Sequence, residues 1–277
     1  MHLQCGAHRL SLDEPVVMGV VNVTPDSFAD GGRFLSHDRA IAHAERLVAE
    51  GAALIDVGGE STRPGAQQVT VEQEIARVVP VVAALAPRIG VPVSIDTRRL
   101  EVMRAAVAAG AAMVNDVTAL AAPGAAEFCA ASGVAVCLMH MQGEPATMQD
   151  APRYDDVVAE VGAYLAGRVH VARTAGIDAA RIVIDPGFGF GKTLEHNLQL
   201  LAALPALAAP GVPVLVGLSR KSMIGALTGR DVDGRLYGSV ALAALAVVNG
   251  ARIVRAHDVL PTVDAVRIAA ALRRRQG

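Results

Sequence analysis

Polar side chains stand at the end of almost every apolar run in this 277-residue chain. The series is Asn22; Asp56; Asp96; Asn115 with Asp116; His140; Asp185; Ser219 with Lys221; and Arg255 with His257. Asp96, Asn115 and Asp185 supply acceptors and an amide. A carboxylate accepts two parallel N–H bonds, which suits a flat heterocycle with adjacent ring and exocyclic nitrogens. Lys221, Arg255 and His257 supply donors and positive charge, which suit phosphate. Together they predict a nitrogen-rich ring carrying a phosphorylated arm, without identifying the ring. Any one of these residues could simply cap the helix behind it. The whole set is harder to explain that way, because caps rarely need Asp, Asn, Lys and Arg converging on one point. No Ser-His-Asp or Cys-His set stands out, so a covalent protein nucleophile is not expected.

Convergence requires a particular scaffold. Eight short runs read as strands: 16–22, 53–58, 91–96, 112–117, 134–140, 181–186, 213–219 and 252–258. They are apolar throughout rather than alternating, as in parallel strands buried on both faces. Helical patterns separate them, near 36–50, from 70, and near 100–110, 125–132, 155–175, 194–207, 235–248 and 263–274. Ser36 and Thr262 are candidate N-caps, and Thr70 with Gln73 spells a capping box. Pro80 is expected to bend its helix. Eight β/α units in one chain of this length predict a (β/α)8 TIM barrel, with the strand C-termini meeting at one mouth. A doubly wound sheet is the competitor, but no Gly-rich dinucleotide fingerprint follows the first strand. The reading is one domain over residues 1–277, with the first ~15 residues as a β-hairpin beneath the barrel.

Composition narrows the function. The chain is 52% hydrophobic and lacks Trp, so Ala, Val and Leu must fill a large core. A net charge of −2 offers no field for nucleic acid. Cys5, Cys129 and Cys137 make an odd, unpatterned set, read as free thiols in the cytoplasm. No apolar run approaches a membrane span.

Seven segments, in order, carry a family likeness: NVTPDSFADGG (22–32), DVGGESTRPGA (56–66), SIDT (94–97), NDV (115–117), DPGFGFGK (185–192), GLSRKSMIG (217–225) and RAHDV (255–259). The whole chain resembles the dihydropteroate synthases, with no departure at the motif positions. The resemblance implies condensation of 6-hydroxymethyl-7,8-dihydropterin diphosphate with p-aminobenzoate, assisted by Mg²⁺, in a homodimer. It assigns the pterin to Asp96, Asn115, Asp185, Lys221 and Arg255. The diphosphate falls to Asn22, Thr62, Arg63, Arg255 and His257, with Asn22 at the metal. The aminobenzoate falls to Phe28, Thr62, Arg63, Pro64, Phe190 and Ser222. Asn22, Arg63, Asp185, Lys221, Arg255 and His257 form the catalytic set. His140 is expected to support the site without touching ligand, Asp56 to organise the GGESTRPG loop, and Asp26 and Asp30 to form turns. His8, His37, His43 and His170 show no ligand spacing.

Two other functions compete. A methyltetrahydrofolate–corrinoid methyltransferase would share the pterin-holding Asp and Asn without a diphosphate site, and the RAHD and SRKS motifs argue against it. A non-catalytic pterin-binding paralogue would have no need to keep Asn22, Arg63, Asp185, Lys221 and Arg255. The Gly pairs Gly31-Gly32 and Gly58-Gly59 permit backbone rearrangement around the aminobenzoate. The expected result is that p-aminobenzoate binds more tightly once Mg²⁺ and pyrophosphate are present, by about 1–3 kcal/mol. Calorimetric titrations with and without Mg²⁺-pyrophosphate measure it, and equal affinities would defeat the loop-closure idea.

Overall fold

Each apolar run becomes a strand, and the strands pair in sequence order. The computed structural model describes residues 1–23, 33–60, 69–144, 147–207 and 211–276, with the backbone alone for 33–36 and 276. A hairpin of β1 (His2–Cys5) and β2 (His8–Ser11) comes first. The barrel strands are β3 (Val16–Asn22), β4 (Leu54–Gly58), β5 (Val93–Asp96), β6 (Met113–Asp116), β7 (Ala135–Met139), β8 (Ile182–Asp185), β9 (Leu215–Gly217) and β10 (Ile253–Ala256). Every neighbouring pair from β3 to β8, and β3 with β10 and β10 with β9, is parallel. A parallel bridge, Ile184 to Val214, draws β8 to the start of β9 and brings the ring together. The chain is therefore a TIM barrel with a small antiparallel hairpin at its N-terminus.

The helices are α1 (Arg33–Ala49), α2 (Val71–Leu85), α3 (Leu100–Ala108), α4 (Ala125–Ser132), α5 (Val157–Thr174), α6 (Leu194–Ala202), α7 (Leu204–Leu207), α8 (Ser222–Thr228), α9 (Leu236–Val248) and α10 (Val259–Gln276). Thr70 caps α2 with Gln73 in a complete capping box, and the helix runs on through Pro80. Two expected caps fall inside helices instead. Ser36 lies in the first turn of α1. Thr262 lies in the first turn of α10, where its hydroxyl donates to the Asp258 carbonyl at 2.7 Å. Pro261 does not delay that helix, because first-turn N–H groups have no intrahelical partner to lose. The expected single helix over 194–207 divides at Ala203; Pro205, which lacks an N–H, sits just beyond the break.

The core has two parts. Strand–helix packing fills the outer shell. Inside the barrel, Met18, Leu54, Met113, Cys137, Val183, Leu215 and Ile253 form one cluster with Leu3, Cys5 and Leu12. The hairpin thus plugs the N-terminal end of the strands with apolar side chains. That leaves the opposite end as the polar mouth. Cys5, Cys129 and Cys137 are all buried and unpaired. Among the described residues no helix is long and apolar enough to cross a membrane.

Candidate active site

The mouth is organised around one guanidinium. Arg255, on β10, donates from Nε to Asp56 Oδ2 at 2.6 Å and from Nη2 to Asp96 Oδ2 at 2.8 Å. Asn115 donates from Nδ2 to the same Asp56 oxygen at 2.9 Å. Strands β4, β5, β6 and β10 are thereby tied together at one point. Burial opposes the charge on Arg255, but the Asp56 and Asp96 carboxylates outweigh it and raise its pKa. The guanidinium stays charged, with three further N–H bonds to offer.

Hydrogen-bond accounting orients the rest. Because the Asn115 amide nitrogen faces Asp56, its carbonyl oxygen is left to accept. Asp96 Oδ1 remains beyond the Arg255 bond. Asp185, at the end of β8, accepts from the Gly187 backbone N–H through Oδ1 at 2.7 Å. Burial raises the Asp185 pKa to about 6, against the lowering pull of that N–H and of Lys221. Burial also raises that of Asp96, against Arg255. Lys221 places its ammonium 4.0 Å from the centre of the Phe190 ring. Acceptors and cationic donors thus meet side by side in one mouth, with Arg255 bonded to Asp56 and Asp96 and the Lys221 charge pulling on Asp185.

Asn22 and His257 stand at the ends of neighbouring strands. A side chain built at Gly58 would lie 3.6 Å from Asp96 Oδ2 and 3.8 Å from Asn22 Oδ1, so both oxygens approach the same point. Ser219 Oγ accepts from the His257 backbone N–H at 3.2 Å and shares a 3.0 Å hydrogen bond with Nδ1. When the hydroxyl donates to Nδ1, the ring proton is on Nε2. Ser222 is exposed at the first residue of α8. Phe28, Thr62, Arg63 and Pro64, with Asp26 and Asp30, lie outside the described residues.

Three expectations need correcting or sharpening. Asp56 is wholly buried in the mouth, bonded to Arg255 and Asn115, and its Oδ1 has no partner among the described residues; most of the loop after β4, 61–68, lies outside the described residues. The loop root is fastened by other residues: Arg77 donates to the Gly59 carbonyl at 2.8 Å, and Arg99 bridges Glu60 and Glu74, each at 3.0 Å. Asp116 does not join the mouth. It accepts from Thr118 N and Oγ1 and from Leu120 N, and so ties the turn after β6. His140 is buried, 2.9 Å from Lys192 Nζ and edge-on to Tyr164.

Two supporting residues escaped sequence reasoning. Arg220 adopts a left-handed φ of 57° between Ser219 and Lys221. Its guanidinium holds Asp258 through two bonds, at 3.0 and 2.6 Å, and its N–H donates to Ser239 Oγ at 2.9 Å. The pairing fastens the β9 loop to the start of α10, beside His257. Lys192 is the other, and its only sequence signal is a lysine closing a Gly-rich loop.

A plugged barrel with a charged, polar mouth at the C-terminal ends of its strands defines a TIM-barrel enzyme. Residues 18–257 match the family described as pterin binding enzymes. The chain is 52% identical over 268 residues to the dihydropteroate synthase of Escherichia coli (strain K12), covering 97% of this chain and 95% of that one. A Xanthomonas albilineans dihydropteroate synthase solved with 4-aminobenzoic acid aligns with a TM-score of 0.92 at 55% identity over 98% of each chain. The same organism's enzyme in complex with 7,8-dihydropteroate aligns with a TM-score of 0.90 at 52% identity over 99% of each. The chain belongs to the dihydropteroate synthases, transferases of folate biosynthesis.

Proposed function

We propose that this mouth joins 6-hydroxymethyl-7,8-dihydropterin diphosphate to p-aminobenzoate through the residues assembled above. The observation that carries the reading is the meeting of acceptors, on Asp96, Asn115 and Asp185, with cations, on Lys221 and Arg255, at the ends of the barrel strands. The ring N–H groups meet the acceptors, and the ring carbonyl oxygen meets Lys221. The diphosphate extends toward Arg255, His257 and Asn22. The methylene C–O bond breaks, and its electron pair leaves with pyrophosphate. The electron-rich ring spreads the developing positive charge. The arylamine nitrogen forms the new C–N bond and then loses a proton. The residues act by holding the ring, receiving the leaving anion and excluding water.

Mg²⁺ fits this site as a companion of the diphosphate. Among the described residues no cluster of three His, Cys, Asp or Glu side chains could hold a resident ion. Mg²⁺ needs few protein ligands when phosphates and waters supply the rest. Asn22, through its amide oxygen, is the residue that would hold it, and the ion would neutralise leaving-group charge.

The aminobenzoate would lie against Phe190 and near Ser222, with Phe28, Thr62, Arg63 and Pro64 in the same role. Two copies would pair through the α9–α10 face, where Tyr237, Leu245, Ile268 and Leu272 are exposed. Three unpaired, buried thiols suit a cytoplasmic enzyme.

A pyrophosphate-release assay tests the reaction. Release should require both Mg²⁺ and p-aminobenzoate. Methyl transfer to a corrinoid protein, or pterin binding with no release, would replace the reading with one of its two competitors.

A further inference from the structure

Lys192 closes the Gly-rich loop after β8 and is almost fully buried, yet nothing in the chemistry above uses it. Its ammonium carries three N–H bonds. Four acceptors surround it: His140 Nδ1 at 2.9 Å, the Gly187 and Phe190 carbonyls at 3.0 Å each, and the His140 carbonyl at 3.4 Å. Two of these belong to His140, just past the end of β7, and two to the loop, so the ammonium stitches the loop to the strand. Two glycines make the approach possible. Gly187 has φ +71°, and a Cβ there would lie 1.9 Å from the His140 carbonyl oxygen. Gly191 has φ +61°, and its Cβ would lie 2.4 Å from the Gln142 carbonyl oxygen.

The stitched loop presents two groups to the mouth. The Gly187 N–H holds Asp185 Oδ1. The Phe190 ring sits beneath the Lys221 ammonium. A cation buried this deeply works against itself: burial lowers the Lys192 pKa to about 7, against the raising influence of Asp185. A loop that needed only filled space would be served by an apolar side chain of the same length without that cost.

We propose that Lys192 is a positioning residue for the arylamine substrate: its ammonium holds the Gly187 and Phe190 carbonyls to the end of β7 and so fixes the Phe190 ring against which the p-aminobenzoate lies. The proposal rests on the reading that Phe190 bounds the aminobenzoate. Loss of the ammonium frees the ring to tilt, and the tilted ring no longer packs against the arylamine, so binding of that substrate weakens.

The test is steady-state kinetics of Lys192→Met, which keeps length and removes every donor. The Michaelis constant for p-aminobenzoate should rise about tenfold or more, while kcat falls much less. Phe190→Ala should raise the same constant, and the double variant Lys192→Met/Phe190→Ala should be no worse than Phe190→Ala alone. An unchanged constant in Lys192→Met, or losses that multiply in the double variant, would overturn the proposal. If Lys192→Met does not fold, Lys192→Gln, with two donors, takes its place under the same criteria. A wild-type protein that releases no pyrophosphate with p-aminobenzoate would instead defeat the assignment of the reaction, so the two failures are distinguishable.

Discussion

Asp185→Asn should abolish tight pterin binding and, in the same protein, make the free fold more stable. The binding loss follows from donor–acceptor matching. The amide keeps the shape but replaces one acceptor oxygen with a donor, which then faces ring N–H groups. Charge-assisted bonds contribute about 1.5–3 kcal/mol, so affinity should fall roughly ten- to a hundredfold or more. The gain in stability follows from the pKa. Burial raises Asp185 from 3.8 to about 6 in the fold. The folded state therefore prefers the protonated acid, and that preference favours folding at low pH. It is lost as pH rises from about 4 through about 6, and at neutral pH the ionised carboxylate costs up to about 3 kcal/mol. Asn removes that cost. Melting temperatures should rise for the variant at pH 7–8 and converge with wild type near pH 4. Calorimetric titration with a dihydropterin reads the binding arm. An unchanged affinity would remove Asp185 from the site, and an unchanged melting curve at neutral pH would mean the carboxylate is not held at a cost.

Arg255→Ala should be the most damaging single change at the mouth. It leaves the Asp56 and Asp96 carboxylates without the guanidinium that pairs them. Breaking a buried pair on one side costs about 3–5 kcal/mol. Asp96 already has its pKa raised by burial and is held down chiefly by Arg255. Without the arginine it rises further, so the acid form is favoured in the fold. The stability deficit should therefore be smallest at low pH and grow as pH rises through the new value, which denaturant melts at pH 5 and pH 8 would show. Function should split as well. The diphosphate-bearing pterin should lose more affinity than the bare hydroxymethyl pterin, since only the former uses the anion contact. Equal losses would assign Arg255 to the ring alone and pass the phosphate to His257 and Arg63.

The amino-acid sequence by itself determined the ring of elements. Uninterrupted apolar runs such as 16–22, with helical patterns between them, allow little besides parallel strands covered on both faces, and each observed strand falls within its expected run. Local chemistry was equally legible: the Thr70–Gln73 capping box forms as spelled, because it needs only residues three apart. So was the polar set at the strand ends, because the topology sends every strand terminus to one mouth. The phase of each strand was hidden. Neighbouring residues face opposite ways, and a strand apolar on both sides carries no mark of which side is the barrel interior. Asp56 shares the inward phase of Leu54 and reaches Arg255, which is 199 residues away in the chain. Asp116 follows inward-facing Asn115, so it faces outward and ties a turn. Lys192 was invisible for a related reason. One of its acceptor residues, His140, is 52 residues away in the chain, and a lysine comes to bond it together with the loop carbonyls only when the barrel has set β7 beside β8.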